Sequence, residues 1–362
     1  MIDFEPNEEQ ALIIDTVRGF AQNEIREAAR DADESRKLPD GVLAQAHELG
    51  LVANALPEAH GGGGERSAVT GVLVAEELAW GDLSIALAAL SPALVALPVT
   101  EFGSDQQQAE LLPRFAGESF VPGSLAVAEP RHDSNPFRPR TTASRDGDAY
   151  VLSGAKCLVP WIDGGDVTLV VADEGGTPQA FVVPRDAQGL TATPDRYMGI
   201  GALPTVELGL QDVRVPASAR LGGEAGCDWA RVVTQGRTAL AAMAVGVARA
   251  AYEVAREYAK QREAFGGPIA AKQAIAFKLA DMAIEIDGAR LLAWEAAWKL
   301  DRGEDATREA TLAIDQARRV SLTVTDGAVQ VLGGHGYTRE YLPEMHLRNA
   351  RGFACFEALA LV

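Results

Sequence analysis

From residue 7 to residue 118 the apolar positions recur every three or four residues, the spacing that lays one side of a helix against a core. Glu8-Glu-Gln-Ala-Leu-Ile-Ile-Asp-Thr-Val-Arg-Gly-Phe20 sets the pattern, and segments 41–50, 67–80, 83–98 and 105–116 repeat it. Pro57 and the glycines of His60-Gly-Gly-Gly-Gly-Glu65 interrupt it, and that stretch is expected to be a flexible turn. Between 121 and 220 the period changes. Ala149-Tyr-Val-Leu152, Val167-Thr-Leu-Val-Val-Ala172, Ala180-Phe-Val-Val183 and Val206-Glu-Leu-Gly-Leu210 are short runs separated by Gly, Asp and Pro, which predicts a small antiparallel β domain. Long helical patterns return over 228–262, 268–302 and 306–332, with breaks at Gly266-Gly-Pro268 and Asp301-Arg-Gly303. The fold predicted is α+β and mainly α: a helical domain over 1–119, a β domain over 120–222 and a helical bundle over 223–362.

Composition narrows the function. A chain of 362 residues with 47% hydrophobic content can bury a large core and divide into two or three domains. No apolar run reaches the ~20 residues that cross a bilayer, and no charged-then-apolar leader opens the chain. A soluble cytoplasmic protein is expected. The net charge of −18 argues against nucleic acid and anionic membranes as partners, so an anionic ligand would need a local basic patch. Cys157, Cys227 and Cys355 are too scattered for a disulfide framework or a zinc site, and the five histidines show no metal-ligand spacing. No metal is expected.

The chemistry concentrates near the end. Gln330-Val-Leu-Gly-Gly-His-Gly-Tyr337 offers backbone that can approach a cofactor closely. Glu357 is a lone acid in the apolar run Phe353-Ala-Cys-Phe-Glu-Ala-Leu-Ala-Leu-Val362. A carboxylate held among apolar side chains is costly to ionise, which suits a general base. Arg262 and Phe265, in Gln261-Arg-Glu-Ala-Phe-Gly266, could grip a pyrophosphate or simply finish a helix in solvent. Glu357 could likewise be an ordinary exposed acid. His60-Gly-Gly-Gly lacks the G-x-S-x-G elbow a hydrolase would need, and no G-x-G-x-x-G follows a strand.

Taken in order, the segments resemble the acyl-CoA dehydrogenase family over nearly the whole chain. Leu56-Pro-Glu-Ala-His-Gly-Gly62 is similar to its "PEEYGG" turn, Glu76-Glu-Leu-Ala-Trp80 to its "EEL" helix, and Leu125-Ala-Val-Ala-Glu-Pro130 to "CVTEP". Asp212-Val-Arg-Val-Pro216, Arg262-x-x-Phe265-Gly266 and Gln330 with Gly333-Gly334-His-Gly-Tyr337 resemble later family motifs, and Arg348-Asn-Ala-Arg351 with Glu357 resembles "RDA…YEG". The resemblance implies a helical domain, a β domain and a four-helix bundle, with FAD between the last two and assembly into dimers or tetramers. It implies an acyl-CoA or similar thioester as substrate, Glu357 as base, and Arg237 near the active site. Some members place the base just before that arginine; here the position is Gly236. Arg262, Phe265, Gln330, Gly333 and Gly334 are implied to reach the FAD of a neighbouring subunit. An electron-transfer flavoprotein is the implied acceptor.

Departures cluster where the resemblance puts the flavin ring. Ala128 replaces a Thr, and Leu158 and Pro160 replace the Trp and Thr of "WIT". Proline supplies neither a hydroxyl nor a backbone N–H. Arg131-His-Asp-Ser-Asn-Pro136 replaces a glycine-rich loop, Glu357-Ala-Leu replaces "EGT", and the sequence reaches Val362 without the family's closing helix. Two main readings therefore stay open, beside a third in which a diverged oxidoreductase acts on a carrier-bound or non-thioester substrate. One is an autonomous FAD-dependent dehydrogenase; the other is a supporting subunit of a heteromeric dehydrogenase with little flavin site of its own. Acyl length and type, whether fatty, branched, aromatic or sterol-derived, are left open.

Overall fold

The computed structural model describes residues 5–362; residues 1–4, read above for a leader signal, lie outside them. Helix α1 (Glu8–Phe20) starts where Asn7 and Gln10 cap each other reciprocally, which satisfies two otherwise unpaired N–H groups. A π-turn (Ala21–Ile25) joins it to α2 (Arg26–Ser35). Then come α3 (Val42–Glu48), α4 (Ala68–Gly81), α5 (Leu83–Ala89), α6 (Ala93–Phe102) and α7 (Asp105–Ala116). The single helical pattern read over 83–98 is two helices, because the chain bends by 42° between α5 and α6. The glycine stretch after His60 is hydrogen-bonded rather than loose: Gly62, Gly63, Gly64 and Glu65 donate to Pro57, Ala53, Leu56 and Asn54.

Seven strands follow: β1 (Leu125–Ala126), β2 (Thr142–Asp146), β3 (Ala149–Pro160), β4 (Val167–Glu174), β5 (Thr177–Pro184), β6 (Leu190–Pro194) and β7 (Thr205–Pro216). They form one sheet in the order β1-β4-β2-β3-β7-β6, with β5 on β4. The sheet is mixed, not antiparallel throughout, since β1 and β2 each run parallel to β4. The run Val167–Ala172 is buried at every position. A strand covered on both faces reads as continuous apolar sequence instead of alternating. Leu169 and Val171 face the helices, whereas Val170 meets Phe181 and Leu208 in a second core inside the sheet.

The bundle contains α8 (Trp229–Gln261), α9 (Gln273–Asp301), α10 (Thr307–Leu332) and the shorter α11 (Pro343–Gly352). α9 begins later than the pattern from 268 suggests, because Pro268 leads into a 3-10 turn (Ile269–Ala271). α8 is long and apolar enough for a membrane span, but 78% of its most apolar window is buried within the protein. It packs on α4, α9, α10 and α11 and is the axis of the molecule. Glu77 of α4 pairs bidentately with Arg249 of α8 at 2.9 and 2.7 Å. Asn349 of α11 accepts the Ile200 N–H at 2.7 Å, which ties the sheet to the bundle.

Candidate active site

Glu357 lies where the chain leaves α11 and meets α8 and α10. Its surroundings differ from those its sequence neighbours suggest. The apolar residues after it turn inward, and the carboxylate itself is at the mouth of that run, 20% exposed, between two guanidinium groups. Arg318 of α10 donates to Oε1 at 3.4 Å and to the Phe356 carbonyl at 3.2 Å. Arg237 of α8 has its Nε 3.9 Å from Oε2 and donates through Nη1 to Thr311 at 3.0 Å. The Nε–H groups of both arginines are buried and have no hydrogen-bond partner in the protein. The nearest carboxylate to the Arg237 Nε is that of Glu357, so the two guanidinium groups and the acid form one charged cluster.

Gly236 explains how the carboxylate comes so close to α8. A Cβ there would lie 3.1 Å from the Cα of Ala358, so a side chain at this position would press on the segment carrying Glu357. The loop 131–137 covers the other side. Pro136 accepts a 2.7 Å hydrogen bond from the Trp229 indole, and the Arg237 guanidinium stacks over Phe137 at 5.4 Å.

The three sequence-predicted ring contacts fall together at the end of β3, where the chain after β1 runs beside it and Leu158 joins the core shared with the helices. Leu158 and Pro160 are buried and Ala128 is half-buried. Leu158 sits in a bulge of β3 with φ +57°, and its N–H donates to Asp195 at 3.3 Å. The Pro160 carbonyl accepts from Ser124 at 2.6 Å, and the Ala128 carbonyl accepts from the Cys157 N–H at 2.9 Å. This end of β3 therefore offers apolar wall, with the Leu158 N–H and the Ala128 and Pro160 carbonyls already engaged. Beside it Tyr197 donates to Asp195 at 2.8 Å; burial, followed by that carboxylate, pushes the phenol up. Burial, followed by Asp195, likewise pushes the Cys157 thiol up to about 11, which keeps it a neutral thiol.

The remaining candidates form a separate group at the far end of the bundle. Arg262, Phe265, Gln330, Gly333 and Gly334 are all exposed, Phe265 at 95%. Gly333 has φ +59°, and added Cβ atoms at Gly333 and Gly334 would meet nothing within 4 Å. Arg237 and Arg262 are about 37 Å apart along α8 at the usual rise per residue. One bound flavin ring cannot touch both the Glu357 site and this group. An uncommitted guanidinium, an amide and open glycine backbone are groups that suit phosphates and other polar acceptors.

Arg318 is the site residue that sequence reasoning missed. It lies four residues after Ile314 and three before Ser321, both buried, so a charge stands on the inward stripe of α10. Of the five histidines, His346 of α11 alone is buried. It is fully buried with Nε2 2.9 Å from Arg26, and burial, then Arg26, push its pKa well down.

A helical domain, a mixed sheet and a helical bundle that converge on one carboxylate and two unsatisfied guanidinium donors define a three-domain dehydrogenase architecture. The chain belongs to the acyl-CoA dehydrogenase family: sequence models of its N-terminal, middle and C-terminal domains match residues 7–119, 124–213 and 229–357. It is 36% identical to the probable acyl-CoA dehydrogenase YngJ of Bacillus subtilis, across 97% of this chain and 94% of that one. Its fold is similar to that of butyryl-CoA dehydrogenase from Megasphaera elsdenii, with TM-score 0.89 and 30% identity, covering 99% and 96% of the two chains. It also resembles glutaryl-CoA dehydrogenase from Mycobacterium smegmatis in complex with FADH2, with TM-score 0.88 and 28% identity, covering 98% and 92%.

Proposed function

We propose that this protein is an FAD-dependent acyl-CoA dehydrogenase that introduces a double bond between Cα and Cβ of an acyl thioester. The observation that carries the reading is the carboxylate of Glu357 flanked by the guanidinium groups of Arg237 and Arg318, whose buried Nε–H groups make no hydrogen bond. An α-proton is very weakly acidic, so its removal needs both a positioned base and donors for the thioester oxygen as charge develops there. Glu357 takes the proton, and the two guanidinium groups take the developing oxyanion. Phe137 and the loop pinned by Trp229 shield Arg237 from water on one side. Bound FAD supplies the acceptor for the hydride that leaves Cβ. Ala128, Leu158 and Pro160 would lie against its ring, and Arg262, Phe265, Gln330, Gly333 and Gly334 would hold the dinucleotide end of a neighbour's FAD. The active form is therefore an oligomer, and the electrons pass on to an electron-transfer flavoprotein.

One observation favours a second reading, a supporting subunit in a heteromer: the ring edge has its N–H at Leu158 committed to Asp195 and none at Pro160. A visible absorption spectrum of the protein purified alone separates the two. About one flavin per chain, bleached by butyryl-CoA, supports the autonomous enzyme; a colourless protein that acquires flavin only with a second chain supports the other. In the flavin-loaded protein, Glu357→Gln is expected to slow bleaching by about 10²–10⁴-fold with flavin content unchanged. Bleaching at the full rate would remove Glu357 from the reaction.

A further inference from the structure

The rim of the Glu357 site carries positive charge on a protein whose net charge is −18. Two side chains from different elements touch Arg237. One is Phe137, whose ring centre is 5.4 Å from the guanidinium carbon; the other is Thr311 of α10, whose hydroxyl accepts from Nη1 at 3.0 Å. Each has an exposed arginine close by in the chain. Arg138 follows Phe137 directly, and among the described residues it pairs with no carboxylate. Its main chain is fixed, since its N–H donates to the Asn135 carbonyl at 3.0 Å, beside the bond from Trp229 to Pro136. Arg308 precedes Thr311 by three residues and shares its helix face. Its side chain is 79% exposed, and its carboxylate contact, Glu309 Oε1 at 3.3 Å, is to an oxygen already 2.7 Å from the Lys299 ammonium. Arg131, in the same loop as Arg138, is by contrast neutralised by Asp133 through two bonds of 2.8 Å. Arg138 also follows the segment 131–136 that replaces the glycine-rich loop of the family, so this charge is a feature of this chain. With the thioester of an acyl-CoA at Glu357, the pantetheine arm leaves the phosphates of the nucleotide outside, at the surface. A guanidinium group donates two parallel hydrogen bonds to a phosphate. On an acidic protein, two such groups at the mouth supply the local positive field that an anionic substrate needs.

We propose that Arg138 and Arg308 clamp the phosphates of the CoA nucleotide and make the protein select CoA thioesters over thioesters that lack the nucleotide. This rests on the acyl-CoA dehydrogenase reading. The carboxylate of Glu357 is held by Arg237 and Arg318, so the two rim arginines act on binding and not on the proton step. The experiment measures kcat/KM on the flavin-loaded protein for butyryl-CoA and for butyryl-pantetheine, which carries the same acyl group and no phosphate. Arg138→Gln and Arg308→Gln are each expected to lower the ratio of the two values about three- to tenfold, and the double variant on the order of thirtyfold. The loss is expected in KM for butyryl-CoA and not in kcat, because the clamp holds substrate and transition state alike. Added salt should raise KM for butyryl-CoA more in the unchanged protein than in the double variant. Folding defects lower both kcat/KM values together and do not move the ratio. Butyryl-CoA turnover with an unmoved ratio in the double variant, or equal handling of the two thioesters by the unchanged protein, overturns the clamp and leaves the dehydrogenase reading intact. Preference for a butyryl thioester of an acidic carrier protein over butyryl-CoA, lost in the double variant, also overturns it, since the arginines would then serve the carrier. Absence of turnover of every thioester by the flavin-loaded protein overturns the dehydrogenase reading, and the clamp with it.

Discussion

Gly236→Ala should slow the reaction while the protein stays folded. Gly236 lies within α8, where alanine gains about 1 kcal/mol of helix propensity over glycine. The new Cβ would sit 3.1 Å from the Ala358 Cα and 3.3 Å from its Cβ, so the neighbour must give by a few tenths of an ångström. Overpacking of this kind costs about 1–3 kcal/mol, which the propensity gain partly offsets, leaving a net loss of about 0–2 kcal/mol. The far end of the run cannot absorb the shift easily, because Val362 is already tight against Gly71 and bonded to Arg66. Movement is therefore expected at Glu357, whose carboxylate is held at 3.4 Å by Arg318 and 3.9 Å by Arg237. A misplacement near 1 Å costs about 10²-fold; a few tenths correspond to about three- to tenfold by the same scaling. Single-turnover bleaching of the flavin by butyryl-CoA reads the rate, and urea unfolding reads the stability. An unchanged bleaching rate together with a stability gain near 1 kcal/mol would refute the reasoning, since it would mean that the run yields without moving the base.

Two further outcomes test the scaffold. Asp82, buried at the N-cap of α5, has its carboxyl pushed up from 3.8 to about 6, chiefly by burial. The folded state then holds the proton more tightly than the unfolded one, so this group makes stability fall as pH rises from about 4 to about 6. Asp82→Asn keeps an acceptor for the Ile85 N–H, and urea unfolding across that range should show a flatter slope and a gain of up to about 3 kcal/mol at neutral pH. Lys156 is fully buried with its ammonium 3.1 Å from Glu129, so Lys156→Met strands a buried carboxylate. Denaturant unfolding should show a loss of about 3 kcal/mol, and Glu129→Gln added to it should recover part of that; equal stability of single variant and parent would show that Thr141 and Arg140 suffice for Glu129.

Much of the molecule was legible in the pattern of its residues. The helices around residues 8–20, 105–116, 228–262 and 306–332 declare themselves because an apolar stripe at helical period must be buried against something. The parallel pairing of β1 and β2 with β4 did not show, because a continuously apolar strand carries no information about the direction of its partners. The neighbours of Glu357 misled for a related reason. Apolar residues next to an acid in sequence do not fix its surroundings; here they turn inward and leave the carboxylate facing Arg237 and Arg318. Arg318 precedes Glu357 by 39 residues, with about half of α10 and all of α11 between them, so no local spacing links them.

The sequence by itself determined the three segments and the family and singled out one acid in an apolar run, since period, turn residues and motif order are local properties of the chain. Only the tertiary structure decided what surrounds that acid. It put two guanidinium groups beside Glu357, engaged the Leu158 N–H at the end of β3, and set Arg262 about 37 Å away along α8, with Phe265, Gln330, Gly333 and Gly334 at the same far end of the bundle. Those relations depend on helix packing and on close approach at Gly236 and Gly71, where distant segments meet with no signal of their meeting in the chain.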